Sequence, residues 1–589
     1  LSAPEKGNAQ KNVFLLLFSM KELYQKLRTF TGKNYGLYKS LSQRTWNFGD
    51  FDLEFLHVQG DSYAPPSRLR FRAPLEVLGF PKELGNFPLK RLALADFLMR
   101  RLSEELAHRA DAAEKGEYPV SVASPGQEIR VRNSFWVGGP SENDGRAVLE
   151  VILSVKLPGN HREVDVEGVC ELVTSTLPDV LATLYAGDKN VLAAAQKHIE
   201  CLEIREELLK QIQDRGLVAF VPDGAVLPRE SGLSDLPSRN AVPFKSPEDL
   251  RVTLTAGGRT FSGMGIPKGI IVIAGGAYHG KSTLLNALEA AVYPHVPGDG
   301  REAVVIDPSA VRINAESGRS VRKTRIAPLV RELPYKVSTE SFSTLSASGS
   351  TGEASNLVEA VEFGCRTVLI DEDSSAVNFL IRDARMRRLV GSAGEPLIPL
   401  VDRIRELAGL GVNMIIVAGA CGDFLSVADM VIVMRDYIPE NATARAKDIC
   451  KETPPERLPE DHPPFALGES RHFLPYMQEL MPLVKPTSSV ERLVKVRLQG
   501  TRVQIGFLVA ETGAIPMLNC TAERCGAGLL LLNLLQNAQD VPAKECIEKI
   551  CGEVSNVGFR KIPQGFSRDV ELPRPLEVAM LLLRLRSGK

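Results

Sequence analysis

The sequence predicts an α/β core of mostly parallel strands, with a mixed α+β domain before it and a small α+β domain after it. Three observations predict this. Between residues 246 and 440 short apolar strands alternate with helical segments, the pattern of strand-helix-strand crossovers. Inside that stretch a glycine-rich loop joins a buried strand to a helix. Residues 451–464 are then too rich in proline and charge for a packed element, which sets a linker at 441–470 and a last domain at 471–589.

In the first domain, residues 1–245, the periodicity predicts amphipathic helices over 11–30 and 89–110 and a strand over 148–155. Residues 60–67 are turn chemistry. They lead into Arg68-Leu69-Arg70-Phe71-Arg72, where alternation on a strand puts Arg68, Arg70 and Arg72 on one face. That face reads either as a phosphate-binding surface or as a solvated strand face. Tyr35, Tyr38, Trp46 and Phe71 read either as platforms for unpaired bases or as core.

Composition excludes more than it assigns. With 589 residues, 44% hydrophobic and 24% charged, the chain has room for about three or four domains. It contains no apolar run of membrane-spanning length, so no membrane role is expected. A net charge of -1 excludes a uniformly basic coat, although residues 1–110 carry a surplus of Lys and Arg. The nine cysteines are scattered, as in a reducing compartment. Cys520, Cys525, Cys546 and Cys551 lack the two-residue knuckle of a zinc site and read as buried thiols. The chain starts at Leu1 rather than Met, so the expectation is that a leading segment, with any targeting peptide, was removed.

The chemistry concentrates in the core. An apolar strand at 269–274 runs into Gly275, Gly276, Ala277, Tyr278, His279, Gly280, Lys281, Ser282 and Thr283, and a helix follows. This is G-x4-G-K-S in its strand-loop-helix context. Successive N–H groups and the helix N-terminus suit phosphates, Lys281 reaches the β- and γ-phosphates, and Ser282 ligates Mg2+. About ninety residues on, an apolar strand ends in Asp371, Glu372 and Asp373. Asp371 is placed to hold the metal shell, and Glu372 to orient or deprotonate the attacking water.

Between these motifs lies Ser346-Ala347-Ser348-Gly349-Ser350-Thr351-Gly352, a stretch that composition alone would make a linker. It directly precedes an apolar-periodic helix at 354–363, so its N–H groups form a second anion site instead. Residues 347–351 resemble the Leu-Ser-Gly-Gly-Gln signature of ABC-type ATPases, and residues 371–378 resemble that family's Asp-Glu-Pro-Thr-Ser-Ala-Leu-Asp run. The resemblance implies ATP and Mg2+ as cofactors and a head-to-tail homodimer. In it Ser348, Gly349 and Ser350 close over the nucleotide held by the partner, and residues 375–378 cross the interface.

Further stretches, among them 58–61, 263–269, 280–285, 296–302, 318–321 and 573–577, resemble the family of predicted ATPases of the ABC class over nearly the whole chain. Within it the sequence is similar to kinetoplastid members associated with mitochondrial RNA editing. That likeness implies RNA and RNA-editing or RNA-processing proteins as partners, and a mitochondrial location.

Two departures bear on turnover. No glutamine lies between Lys281 and Ser350, leaving Glu316 as the substitute for the family's metal-coupling Gln. Residues 419–423 hold no histidine where the family's transporters carry their switch His, leaving Asp423 as a polar contact. The sequence therefore predicts an ATPase coupled to RNA. The alternatives are a slow ATP-gated dimeric scaffold, which the departures favour, and a P-loop phosphotransferase with 346–355 as its acceptor loop.

Overall fold

The computed structural model of the chain describes residues 21–48, 51–112, 118–160, 162–391, 395–454, 464–484 and 494–588. Two compact units emerge: residues 1–202 with 553–572, and residues 203–552 with 573–589. The predicted boundary at 245 moves, and the predicted last domain is divided between the units.

In the first unit an antiparallel sheet has the order Thr45–Asn47, Asp52–His57, Ser67–Pro74, Val148–Val155, Val120–Ser121. The helix Pro88–Ala112 buries Leu94, Leu98, Leu102 and Leu106, a stripe at the spacing one helix face requires. Of the helix expected at 11–30, Lys21–Arg28 is described and helical, and residues 11–20 lie outside the described residues.

Ser67–Pro74 is a central strand, with Leu69, Phe71 and Ala73 in the core. The three arginines do share the other face, but neighbouring carboxylates hold them. Arg68 pairs with Asp569 at 2.8 Å, Arg70 with Glu54, and Arg72 with Glu150 at 2.7 Å. The phosphate-binding reading of this strand is corrected accordingly. Tyr35, Tyr38 and Phe71 are buried and Trp46 packs against the same core, so they are not base platforms. Burial also pushes the Tyr35 phenol up to about 12.

The second unit carries the α/β core. Its strands, in chain order, are β1 (Ile270–Ala274), β2 (Val311–Ile313), β3 (Thr367–Asp371), β4 (Asn413–Ala418), β5 (Met430–Arg435) and β6 (Ile438–Asn441). They lie in the order β2-β3-β4-β1-β5-β6, all parallel except β6. Strands β1, β3 and β4 are near-continuous runs of Val, Ile, Leu and Met, as a sheet covered on both faces requires. Two helices head the functional loops, α1 (Lys281–Ala290) and α2 (Gly349–Glu362).

An antiparallel sheet of Arg251–Ala256, Arg259–Pro267, Leu217–Pro222 and Val305–Ile306 belongs to this unit. Val218, Ala219 and Val221 share one apolar core with Ile271, Ile273 and Leu284. That shared core is why the unit begins well before residue 245. The expected linker is in part the helix Thr443–Glu452, and residues 455–463 lie outside the described residues. A small antiparallel sheet of Val496–Gln499, Arg502–Ile505, Leu508–Glu511 and Arg586–Ser587 completes the unit.

No helix among the described residues is long and apolar enough to cross a membrane. None of the nine cysteines forms a disulfide; Cys525 and Cys551 are buried, Cys546 is half-buried and Cys520 is exposed.

Candidate nucleotide-binding site

The loop after β1 folds as the motif requires. Gly275 has φ 142°, and a Cβ there would lie 2.5 Å from the Met434 carbonyl oxygen. Gly280, with φ 94°, caps α1 in the left-handed region and turns the free N–H groups of the helix toward the loop. Lys281 Nζ donates to the Gly276 carbonyl at 2.8 Å, which holds the ammonium across the loop. Ser282 and Thr283 are half-buried on the first helical turn, and the Tyr278 side chain points into solvent, 94% exposed.

The sheet order decides where the acids meet this loop. Because β4 separates β1 from β3, the segment leaving β4 lies beside both the loop and the end of β3. Glu372 uses that neighbour. Its Oε2 accepts from the N–H groups of Gly419 at 2.7 Å, Ala420 at 2.9 Å and Cys421 at 3.2 Å. Burial works to raise its pKa, but these N–H groups outweigh burial and hold the carboxyl below its ordinary value. The backbone after β4 supplies this contact, a partner that no side-chain pattern announces.

Asp371 is 3% exposed at the end of β3. Its Oδ2 lies 3.2 Å from Arg312 Nη2, and the same guanidinium reaches Asn286 at 2.9 Å and Glu289 at 3.3 Å. Burial raises the Glu289 pKa, and Arg312 opposes that rise. Arg312 therefore ties α1 to β3, and Arg312→Lys is expected to cost about 1–2 kcal/mol, since one ammonium cannot span both carboxylates. Urea unfolding of the two proteins checks this. An ordinary surface exchange would move the midpoint by no more than measurement error.

Ser282 and Asp371 are hard oxygen donors, and one hydroxyl with one carboxylate suits Mg2+, which keeps waters and phosphate oxygens in its remaining positions. Glu316 does not join them. Burial works to raise its pKa, but Arg584, 2.6 Å away, outweighs burial and lowers it. The amide near Asp371 belongs to Asn314, the residue after β2, whose Oδ1 accepts from the Ser374 hydroxyl at 2.7 Å. Asn314 offers the same amide chemistry as Gln and escaped a search for that one letter.

The Ser/Gly stretch heads a helix rather than a linker. Ser348 is the N-cap of α2, its Oγ accepting from the Thr351 N–H at 3.3 Å. Ser348 is exposed and Gly349 half-buried, whereas Ser350 is buried. One turn on, Glu353 is fully buried, and its Oε2 accepts from the Ala376 N–H at 2.8 Å. This joins α2 to the loop 374–378 within one chain. Four basic residues around the core form local pairs: Arg319 with Glu359, Lys323 with Glu479, Arg325 with Glu340 and Arg387 with Asp402.

A family model for the P-loop domain of ABC_ATPase matches residues 192–470, and a model described as "ATPase of the ABC class N-terminal" matches residues 20–187. An uncharacterised protein of Methanocaldococcus jannaschii, MJ1628, is 28% identical over 251 residues, covering 39% of this chain and 53% of its own length. The chain thus spans about half of that relative.

Among solved structures, the ADP conformation of MJ1267, an ATP-binding cassette of an ABC transporter, aligns at 13% identity and a TM-score of 0.22, covering 34% of this chain and 94% of that one. A second structure of MJ1267 aligns at 12% identity, with the same TM-score and 40% and 96% coverage. At that TM-score the likeness adds nothing to the fold described above.

Proposed function

We propose that this ABC-class ATPase, the class both family matches support, binds ATP with Mg2+ on the loop 275–283 and hydrolyses it with Glu372 as the base. The observation that carries the reading is convergence at the C-terminal ends of the central strands. The N-terminus of α1, Lys281, Asp371 and Glu372 all lie at the ends of β1 and β3, with only β4 between them. The α1 N–H groups and Lys281 bind the β- and γ-phosphates, and Glu372 orients the water and takes its proton. Ser282 and Asp371 would hold Mg2+, which would supply charge compensation at the phosphate oxygens.

The grip of residues 419–421 on Glu372 favours a second reading within the same class, an ATP-gated dimer with slow turnover. A carboxylate that already accepts three N–H bonds is a weak base until the loop releases it. In this proposal exposed Ser348 closes on the partner's nucleotide. The phosphotransferase alternative loses its acceptor loop, because residues 349–362 are helix.

Coupling to RNA in a mitochondrial setting forms the outer part of the proposal and rests on resemblance alone. Steady-state ATP turnover, measured alone and with single-stranded and duplex RNA, tests it. The RNA-coupled reading expects stimulation by one form, and equal rates throughout would remove RNA. Size measurements with and without ATP test the dimer: association is expected with ATP and is lost in Ser348→Arg.

A further inference from the structure

A cavity of about 240 Å3 opens beside the phosphate loop, bounded by Gly280 and Thr283 and by Met434 and Tyr437 of the β5–β6 hairpin. Val242 and Asn240, from the segment preceding the core, complete its wall. Two of these apolar side chains are open to solvent, Tyr437 at 51% and Val242 at 46%.

The turn that presents Tyr437 is unusual. Asp436 and Tyr437 are the two residues between β5 and β6, with φ 49° and 68°. A two-residue turn with both positions left-handed favours Asn-Gly, and a bulky Tyr there is strained. The phosphate loop itself holds this turn. His279 Nδ1 accepts from the Asp436 N–H at 2.8 Å, which leaves any ring proton on Nε2. The Tyr437 ring lies close to the loop's last glycine, so that a Cβ on Gly280 would sit 3.0 Å from Tyr437 Cδ1.

A strained aromatic, a loop histidine fixing its turn and a half-open apolar cavity next to the phosphate-binding helix start have one common use. We infer that Tyr437 is the platform on which the base of the bound nucleoside triphosphate stacks, and that His279 positions it. The inference rests on the nucleotide-binding reading above. It adds that recognition of the base comes from the hairpin after β5, with the exposed amide of Asn240 facing an edge of the base. It also gives Tyr437 and His279 roles that the phosphates alone do not require.

The test separates base from phosphate. Affinities of the full chain for ATP and for inorganic tripolyphosphate, both with Mg2+, are measured by calorimetry. Tyr437→Ala is expected to weaken ATP about tenfold or more, the loss of one stacking contact, and to leave tripolyphosphate unchanged. Tyr437→Phe keeps both affinities. His279→Ala shows a smaller loss confined to ATP, and His279→Asn, which retains an acceptor for the Asp436 N–H, restores it. Equal weakening of both ligands by Tyr437→Ala, or weakening of neither, overturns the inference while leaving the site intact. Failure of the wild-type protein to bind either ligand overturns the nucleotide reading itself.

Discussion

Glu372→Gln is expected to lower ATP turnover by about a hundredfold or more while leaving ATP affinity within a few fold. The geometry makes this exchange cleaner than most. Gln keeps one carbonyl oxygen for the N–H groups of Gly419, Ala420 and Cys421, so the loop retains its anchor and the strand end its shape. What disappears is the oxygen that takes the proton from water. Binding should survive, because the phosphate contacts come from α1 and Lys281 rather than from Glu372.

The pH profile follows from the same contacts. The N–H groups outweigh burial and hold the carboxyl below its ordinary value, so it stays ionised as pH falls through the ordinary Glu range near 4.3. Turnover should show no loss assignable to Glu372 above that range. Single-turnover and steady-state rates of the two proteins decide the matter. Equal rates would deny Glu372 the role of base and leave the ATP-gated scaffold as the surviving reading.

How far the sequence reaches depends on whether a function is carried by a letter or by a fold. The phosphate loop was legible because glycine, lysine and serine at fixed spacing have one use between a strand and a helix. The helix start at the Ser/Gly stretch was legible because small residues lead there into an apolar period, and the structure begins α2 at that point, with Ser348 as its N-cap. The N–H groups that hold Glu372 have no letter of their own. They become a site only when β4 is placed between β1 and β3, a pairing between residues well separated along the chain.

The arginines show the converse. Arg68, Arg70 and Arg72 fall on one face as alternation requires, yet Asp569, which neutralises the first of them, lies far along the chain. Charge patterns report composition, whereas ion pairing reports topology. The same holds for the early start of the second unit, since antiparallel partners of Leu217–Pro222 lie at 259–267 and 305–306.

Glu353→Gln is expected to stabilise the protein by about 3 kcal/mol at pH 8 and to change little at pH 4.5. Burial pushes the Glu353 carboxyl up from 4.5 to about 7, with the Ala376 N–H opposing that rise. Below pH 4.5 the group is protonated whether the chain is folded or not, so it costs nothing. Between 4.5 and 7 the unfolded chain releases the proton while the folded one keeps it, and stability falls as pH rises. Above 7 both forms are ionised, and the folded state carries a buried charge held by a backbone N–H rather than by a cation.

Gln removes that charge and keeps an oxygen for the Ala376 N–H. Ser375 Oγ donates to the Asp371 carbonyl at 2.9 Å, which leaves its lone pairs to accept from the new amide. Urea unfolding of both proteins at pH 4.5 and pH 8 reads the difference directly. A variant less stable than wild type at pH 8 would mean that Glu353 is ionised and compensated, and that α2 is tied to the loop 374–378 by charge. The expected result means that Glu353 is ionised there without a compensating charge, and that the Ala376 N–H alone ties α2 to the loop 374–378 at the pH where the site would work.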